Sequence, residues 1–231
     1  MFEKAGGILL FRFQEENQPM MKILVISPHP DDEAIGCGGT IRKHIVDGDV
    51  VEAIFLTSGE KGGHAGLPEP ELIRIREHES KKAQEILGVN KIEFWRQRDG
   101  NFQVTQENLR RLQDKLNTLQ PQVVYVPHEQ ESHPDHRASA DLVRRAAAAL
   151  PGPVSKPRVY MYEVWTPIQK IDHIVDISDY VDIKRQAIQA YETQCSVMKL
   201  DEAILSLNRY RGEMHSWPGG DYAEIFTSMD I

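Results

Sequence analysis

The chain has 231 residues, of which 40% are hydrophobic, and this length suits one well-filled α/β domain or two small ones. Its net charge of −8 is spread along the sequence, which argues against nucleic acid as a partner because phosphate-backbone binding requires a basic face. No apolar run approaches the roughly 18 residues of a membrane span, and Cys37 and Cys195 match no zinc or disulfide spacing, so we expect a cytoplasmic protein without a membrane partner.

The first residues differ from the rest of the chain. An apolar patch at residues 8–11 is followed at once by polar and acidic residues, and it lacks the basic start and cleavage site of a signal peptide. Met20 and Met21 stand directly before the first predicted strand. We predict an N-terminal extension or upstream start over residues 1–20, and a single domain over residues 21–231 because no linker or internal repeat divides it.

Strand and helix patterns alternate four times from residue 22 onwards. Short runs rich in Ile and Val predict buried strands, and amphipathic stretches predict helices. The predicted strands and their following helices are residues 22–27 and 34–47, 50–56 and 71–87, 91–95 and 106–119, and 122–126 and 135–150. Later predictions are strands at 158–164 and 170–177, a helix at 180–193, and a less regular tail. The alternation predicts an α/β fold with a doubly wound, mostly parallel sheet and helices on both faces.

A dense polar cluster at residues 28–33, Pro-His-Pro-Asp-Asp-Glu, follows the first strand. Packed carboxylates repel one another, and a metal ion beside them removes this objection because it is the largest local charge. His29 and Asp32 are three residues apart on a turn that enters a helix, so both side chains can reach one point. Asp31 is adjacent to Asp32 and its side chain should diverge, which leaves it free as a general base.

A second polar cluster at residues 128–136 follows the fourth strand. In the usual strand order 3-2-1-4-5, strands one and four are neighbours where the winding reverses, and ligands bind there. His136 could then join His29 and Asp32 as a third ligand. Two histidines and one carboxylate are typical of catalytic zinc, although nickel, iron or manganese would accept the same ligands.

His133 could face the same pocket as a protonated donor, with Asp135 or a neighbouring carboxylate favouring its imidazolium form. Each cluster taken alone also fits a simple helix cap, because acidic residues and Ser, Asp or Asn are favoured at helix N-termini. Both clusters together, at neighbouring strand ends, favour a functional site. Each tryptophan could either pack in the core or stack against a sugar ring. The sequence does not distinguish these roles for Trp95, Trp165 and Trp217.

Two other functions stay open from the residues alone. A metallophosphoesterase also uses His and Asp clusters, but it generally requires two ions, whereas ligands for one ion are found here. A non-catalytic metal- or sugar-binding module on the same fold is the other alternative. A spare aspartate beside the ligands argues against it, because binding alone needs no general base.

The clusters at residues 28–33 and 133–136 (His-Pro-Asp-His), with residues 36–40 (Gly-Cys-Gly-Gly-Thr), resemble the PIG-L (LmbE-like) family of zinc-dependent N-deacetylases. The similarity extends to about residue 226, with weaker matches at residues 57–60, 76–79, 99–100, 176–194 and 222–226. The resemblance implies a Rossmann-like fold and removal of the acetyl group from an N-acetylglucosamine-containing small molecule or glycoconjugate. It also implies an amino-sugar partner and Zn²⁺ as cofactor. The oligomeric state stays open, and a homo-oligomer is compatible with the sequence.

The resemblance implies a role for each matching residue. The implied zinc ligands are His29, Asp32 and His136, the general base is Asp31, and the oxyanion donor is His133 with Asp135 beside it. We assign Arg76 and Glu60 to substrate binding. The sequence departs from the family pattern in two ways. Residues 129–132 stand where some bacterial members carry a Tyr. The membrane anchor of eukaryotic members is also lacking, which disfavours a glycolipid substrate.

Overall fold

The computed structural model describes residues 20–62, 66–152, 156–215 and 220–231. Residues 1–19 of the predicted extension, and Trp217, therefore lie outside the described residues. Within the described ranges, no helix combines the length and the apolar character needed to cross a bilayer. The assignment of residues 21–231 to one domain stays a prediction.

Strands and helices alternate through the first four units, as the sequence predicts. The strands are β1 (Lys22–Ser27), β2 (Val50–Thr57), β3 (Lys91–Gln97), β4 (Val123–Pro127), β5 (Arg158–Tyr162), β6 (His173–Asp176) and β7 (Ala223–Ser228). The α-helices are α1 (Asp32–Val46), α2 (Glu69–Leu87), α3 (Gln106–Leu119), α4 (Pro134–Ala148), α5 (Val181–Gln189), α6 (Glu192–Cys195) and α7 (Leu200–His215). A 3-10 turn at Ser178–Tyr180 precedes α5.

One seven-stranded sheet has the order β3-β2-β1-β4-β5-β7-β6. The first five strands in this order are parallel, and β7 runs antiparallel to both β5 and β6. The predicted order 3-2-1-4-5 and the doubly wound α/β fold are therefore confirmed. The winding reverses between β1 and β4, whose carboxyl ends carry the two polar clusters.

The sheet is covered on both faces, and β1 shows why its sequence is apolar throughout. Ile23 and Val25 point into a core formed with α1, α2, α5 and α7, whereas Leu24 and Ile26 point into a core formed with α3 and α4. All four side chains are fully buried. Burial of each such side chain contributes about 1.5–3 kcal/mol, so β1 is firmly held and gives a rigid base for the turn after it.

The prediction of an irregular tail is wrong, because α7 and β7 lie there. The buried side of α7 includes Asn208 and Arg211, and the first half of β7 includes the buried Glu224, so neither segment shows a clean apolar pattern. The predicted helix at 180–193 is two helices, α5 and α6, and the predicted strand at 170–177 is the shorter, antiparallel β6. These segments bury polar residues that bond to other elements. The polar residues interrupt the apolar periodicity from which helices and strands are predicted.

Candidate active site

Three side chains from the turn after β1 and the starts of α1 and α4 meet at one point. His29 Nδ1 lies 3.1 Å from Asp32 Oδ2 and 3.2 Å from His136 Nε2, and Asp32 Oδ2 lies 3.2 Å from His136 Nε2. All three residues are buried. Ligand atoms that each lie about 2.0–2.1 Å from a tetrahedral zinc ion are about 3.3 Å apart. The triangle therefore has the dimensions of a metal site, and its donors suit zinc.

The turn that carries His29 is fixed by short-range contacts. The backbone N–H of His29 donates to Asp32 Oδ2 over 2.8 Å, and the Ser27 hydroxyl donates to the carbonyl of His29 over 2.6 Å. The backbone N–H of Thr57, at the end of β2, donates to the carbonyl of Pro28 over 2.9 Å. The sequence after β1 thus folds into a turn that is held to the neighbouring strand, and it positions the imidazole before any ion binds.

Carboxylates lie behind both histidines, on the side away from the triangle. His29 Nε2 is 3.2 Å from Asp135 Oδ2 and 3.2 Å from Asp99 Oδ1. His136 Nδ1 is 3.8 Å from Glu131 Oε2, and among the described residues it is a buried nitrogen without a hydrogen bond. Carboxylates in this position commonly orient metal-binding histidines. The atoms of the triangle and the carboxylates behind it therefore fit a divalent metal ion.

The protonation states of the triangle are strongly perturbed. Burial opposes the charged form of both rings, but the surrounding carboxylates together outweigh it. Asp32, Asp135 and Asp99 hold the pKa of His29 well above its usual value, and Asp32 with Glu131 raises that of His136 to about 9. Burial also opposes ionisation of Asp32, yet the two histidines hold its pKa far below the usual range. The charge of the ionised Asp32 therefore favours protons on the two imidazoles, at the nitrogens where a metal ion could bind.

Asp31 lies beside the triangle but has different partners. Its Oδ2 is 3.3 Å from Arg76 Nη2, and its side chain forms no capping hydrogen bond with α1. Its φ of 122° lies in the region that favours glycine, and strain of this kind is concentrated at functional sites. Burial, with the nearby charges of Asp32 and Glu33, raises the pKa of Asp31 to about 8 against the opposing charges of Arg76 and His29. Asp31 is thus a carboxylate that can gain and lose a proton near neutral pH.

Of the two residues assigned to substrate binding, Arg76 lies on α2 and Glu60 in the loop after β2. Arg76 is 2% exposed, and it donates to the carbonyl of Gly59 over 2.8 Å and to that of Pro30. One oxygen of Glu60 accepts from the backbone N–H of Asp99, and within the described ranges its other oxygen is buried without a hydrogen-bond partner. Arg76 therefore links the turns after β1 and β2, and the roles of both residues toward substrate stay predictions.

The predicted charge state of His133 is wrong. His133 is the N-cap of α4, and its Nδ1 accepts from the backbone N–H of Asp135 over 3.2 Å. Nδ1 therefore carries no proton, and burial together with the charges of His29 and His136 lowers the pKa of His133. The ring is a neutral imidazole that can donate from Nε2.

The carboxylate of Asp135 is held by partners other than His133. Its two carboxylate oxygens accept from the backbone N–H groups of Gly100 and Phe102, over 2.7 and 3.0 Å, and one of them faces His29. These bonds and the contact with His29 lower the pKa of Asp135 although burial opposes this. Asp135 therefore supports the ring of His29, and its charge raises the pKa of His133 only against the larger opposing effects of burial, His29 and His136.

Three buried carboxylates at the site were not predicted to act there. Asp99 faces His29, and Glu131 faces His136 while accepting the backbone N–H groups of residues 164–166. Glu33 accepts from Gln84 and Tyr191 and lies 3.0 Å from the Ser27 hydroxyl, and these contacts fix the first turn of α1. Each follows a parallel strand at its carboxyl end, which is the one signal in the sequence that could have identified it.

Of the tryptophans, Trp95 is buried in the core and Trp165 is 47% exposed on the loop that Glu131 holds.

Comparison with known proteins places this geometry in a family. Residues 24–147 match the profile described as PIG-L, GlcNAc-PI de-N-acetylase. The chain belongs to the PIG-L family. Its matched segment contains the whole triangle together with Asp31 and His133, so the PIG-L match and the geometry concern the same residues.

Relatives and solved structures extend the PIG-L match over most of the chain. A diacetylchitobiose deacetylase of Thermococcus kodakarensis is 34% identical over 96% of this chain and 90% of its own length. The structure of the N,N'-diacetylchitobiose deacetylase from Pyrococcus horikoshii has a TM-score of 0.80 at 30% identity, covering 95% of this chain and 87% of that one. A 4-oxalmesaconate hydratase of Pseudomonas putida is 31% identical over 77% of this chain and 76% of its own length.

Proposed function

We propose that the protein is a metal-dependent deacetylase that hydrolyses the acetamide of an N-acetylglucosamine-containing small molecule or glycoconjugate. The observation that carries this proposal is the pair of adjacent aspartates. Asp32 completes a triangle of metal-binding atoms, whereas Asp31 stays outside it with a pKa near neutrality. Binding alone would not require the second carboxylate, and hydrolysis requires a base.

We propose Zn²⁺ as the metal, held by His29, Asp32 and His136, because two imidazoles and one carboxylate are a common catalytic zinc set. When bound, such an ion lowers the pKa of water towards about 7 and polarises a carbonyl. The buried carboxylates behind the histidines support this assignment, because they orient the rings and keep them basic. Metal analysis of the purified protein tests the identity of the ion.

The chain's own residues supply proton transfer and charge stabilisation. Asp31 accepts a proton from the attacking water and can return it to the leaving amine as the C–N bond breaks, which gives acetate and a free amino sugar. His133 donates from Nε2 to the oxygen that gains negative charge, and an oxyanion donor is worth about 3–4 kcal/mol. Arg76 keeps the carboxylate of Asp31 in place through their contact of 3.3 Å.

We also propose that the protein works in the cytoplasm on a small-molecule amino sugar. The free cysteines support this compartment, since Cys37 is a buried thiol and Cys195 a partly buried one. Neither thiol takes part in the proposed chemistry. A homo-oligomer stays a prediction, and the sedimentation behaviour of the purified protein tests it.

The decisive experiment measures release of acetate and of primary amine from a panel of acetylated sugars. The panel contains N,N'-diacetylchitobiose, free N-acetylglucosamine, and the malate and inositol glycosides of N-acetylglucosamine. Release should stop when a chelator removes the metal and return when Zn²⁺ is restored. A fully metallated protein that releases neither product from any member would refute the proposal.

The hydratase relative supplies a specific second candidate, the addition of water to an unsaturated carboxylate. A hydratase would change the ultraviolet absorbance of such a substrate and release no acetate, so one protein preparation separates the two reactions. A metallophosphoesterase is less well supported. A second ion would need His29 with Asp99 and Asp135, and Asp135 already accepts two backbone N–H groups. A metal content of about one per chain favours the deacetylase.

A further inference from the structure

Helix α1, which carries Asp32 in its first turn, is broken in the middle. Cys37 has φ −144° and ψ 22°, which are not helical angles, so residues 32–36 and residues 38–46 form two segments. In an unbroken helix the backbone N–H of Gly39 would donate to the carbonyl of Ile35. The direction of the first turn, and with it the position of Asp32, depends on what happens at this break.

An ion pair from two other elements supplies partners for both of these backbone groups. The N–H of Gly39 donates to Glu224 Oε1 over 2.9 Å, and the ammonium of Lys184 donates to the carbonyl of Ile35 over 2.7 Å. Lys184 Nζ and Glu224 Oε1 are 2.5 Å apart, and both side chains are fully buried. Lys184 lies on α5 and Glu224 on β7. The ion pair therefore replaces the hydrogen bond that an unbroken helix would form between Gly39 and Ile35.

The sequence of α1 makes room for the pair at the break. A Cβ on Gly38 would lie 3.3 Å from Lys184 Cγ, and a Cβ on Gly39 would lie 2.7 Å from the side chain of Ile177. The backbone N–H of Thr40 donates to Glu224 Oε2 over 2.7 Å, so the carboxylate caps the second segment of α1 with both oxygens. The glycines at this point thus serve close packing against α5 and the residues before it.

A buried ion pair needs a reason beyond stability. Desolvation of two charges is expensive, and replacement of such a pair by apolar residues of similar volume is often neutral or stabilising. Here the pair maintains a geometry that the helix would not adopt alone. Without the two side chains, the N–H of Gly39 and the carbonyl of Ile35 can bond to each other and straighten α1.

We propose that Lys184 and Glu224 are positioning residues for the metal site: they keep α1 broken, so that its first turn directs Asp32 toward His29 and His136. The proposal rests on the proposed function only in taking those three residues as the metal ligands. In this proposal, α5 and β7 contribute no metal ligand but control the geometry of the triangle. Neither Lys184 nor Glu224 is a catalytic residue.

The test is the double variant Lys184→Met/Glu224→Leu, which removes both charges and leaves neither partner unpaired. We expect it to fold with a Tm close to that of the wild type, and to bind Zn²⁺ about 10- to 100-fold more weakly, the loss typical when support of a metal ligand is removed. Affinity is measured by competition with a chromophoric chelator. Wild-type affinity in the folded double variant would overturn the proposal.

A matched control removes a comparable ion pair away from the triangle. Lys115 on α3 and Glu52 on β2 are 2.5 Å apart and largely buried, with side-chain exposures of 13% and 16%. The double variant Lys115→Met/Glu52→Leu should retain full Zn²⁺ affinity. An equal loss in this control would show that any removed ion pair weakens the metal site, and it would overturn a specific role for Lys184 and Glu224.

Two further outcomes are distinguishable. If the double variant does not fold, Glu224→Gln replaces it, because the amide retains the shape and one acceptor; weaker Zn²⁺ binding by a folded Glu224→Gln supports the proposal. Failure of both variants to fold would show a general role in folding and overturn it. A wild type that binds Zn²⁺ but releases no acetate would refute the proposed function and leave this comparison of affinities valid.

Discussion

Asp31 and Asp32 are consecutive in the chain, yet their carboxylates face different partners. Asp31 Oδ2 lies 3.3 Å from the guanidinium of Arg76, whereas Asp32 Oδ2 lies 3.1 Å from His29 and 3.2 Å from His136. Asp31 has a positive φ and is the N-cap of α1, whereas Asp32 is the first residue of the helix, so the two side chains leave the backbone in different conformations. Two identical side chains thereby obtain opposite pKa shifts, upward for Asp31 and downward for Asp32.

The two aspartates should therefore respond differently to the same substitution. Asp32→Asn should weaken metal binding strongly, because a neutral amide is a poorer ligand for a divalent cation. Asp31→Asn should keep the metal and lose about 10²–10⁴-fold in rate, the usual cost of losing a general base. Metal content by mass spectrometry and kcat/KM across pH check both variants. Loss of metal from Asp31→Asn would exchange the two roles, and full activity in both would refute the hydrolase proposal.

Metal binding should release protons at neutral pH. The pKa of His136 is about 9 and that of His29 is well above its usual value, so protons compete with an ion for these ring nitrogens at neutral pH, whereas Asp32 is already ionised. An ion must displace those protons in order to bind. Affinity should therefore rise as the pH increases from 7 towards the pKa of His136, about 9. Calorimetry in buffers of different ionisation enthalpy measures the proton count, and proton-free binding at pH 7 would contradict the assignment.

His133 combines two roles that substitution can separate. His133→Ala removes both the N-cap of α4, at a cost of about 1 kcal/mol, and the donor at Nε2. His133→Asn restores a capping side chain without the imidazole, so it should regain stability but not rate. Both variants should keep the metal, with kcat lower by about 10²–10³-fold and KM little changed. Thermal unfolding and steady-state kinetics check this. A change confined to KM would move His133 to substrate binding.

Glu131 should be needed for metal affinity although it is not a predicted ligand. Its carboxylate faces His136 and also accepts three backbone N–H groups of the loop after β5. Glu131→Gln weakens both interactions and should lower Zn²⁺ affinity about 10- to 100-fold. Glu129→Gln is the control, because Glu129 is exposed and pairs with Arg144. Equal affinity in the two variants would show that Glu131 serves only the loop.

The sequence allowed the triangle to be predicted for physical reasons. The spacing of His29 and Asp32 defines one half of the site, and the order of parallel strands brings His136 to it from a distant segment. The carboxylates of Asp99 and Glu131 were missed because their partners are set by loop conformations that show no periodicity. The charge state of His133 depended on whether its ring caps α4, and only the position of Nδ1 decides this.

The contribution of β7 was missed for a different reason. Glu224 is a carboxylate within a short strand, and a sequence pattern gives no partner for it; Lys184, which neutralises it, is 40 residues away. Pairings of this kind are determined by the packing of α1, α5 and β7 together. Features at the carboxyl ends of neighbouring parallel strands could be predicted from the strand order, and pairings set by the packing of α1, α5 and β7 could not.

The place of β7 in the sheet has a consequence for folding kinetics. Among the described residues, β7 is the last strand in the chain, yet it lies between β5 and β6 and is the partner with which β6 pairs. A nascent chain that ends before residue 223 can form the parallel strands but has nowhere to dock β6. The contacts that complete the sheet span about 50 residues or more, and contacts of such long sequence separation slow folding. We expect the antiparallel edge to form last during refolding.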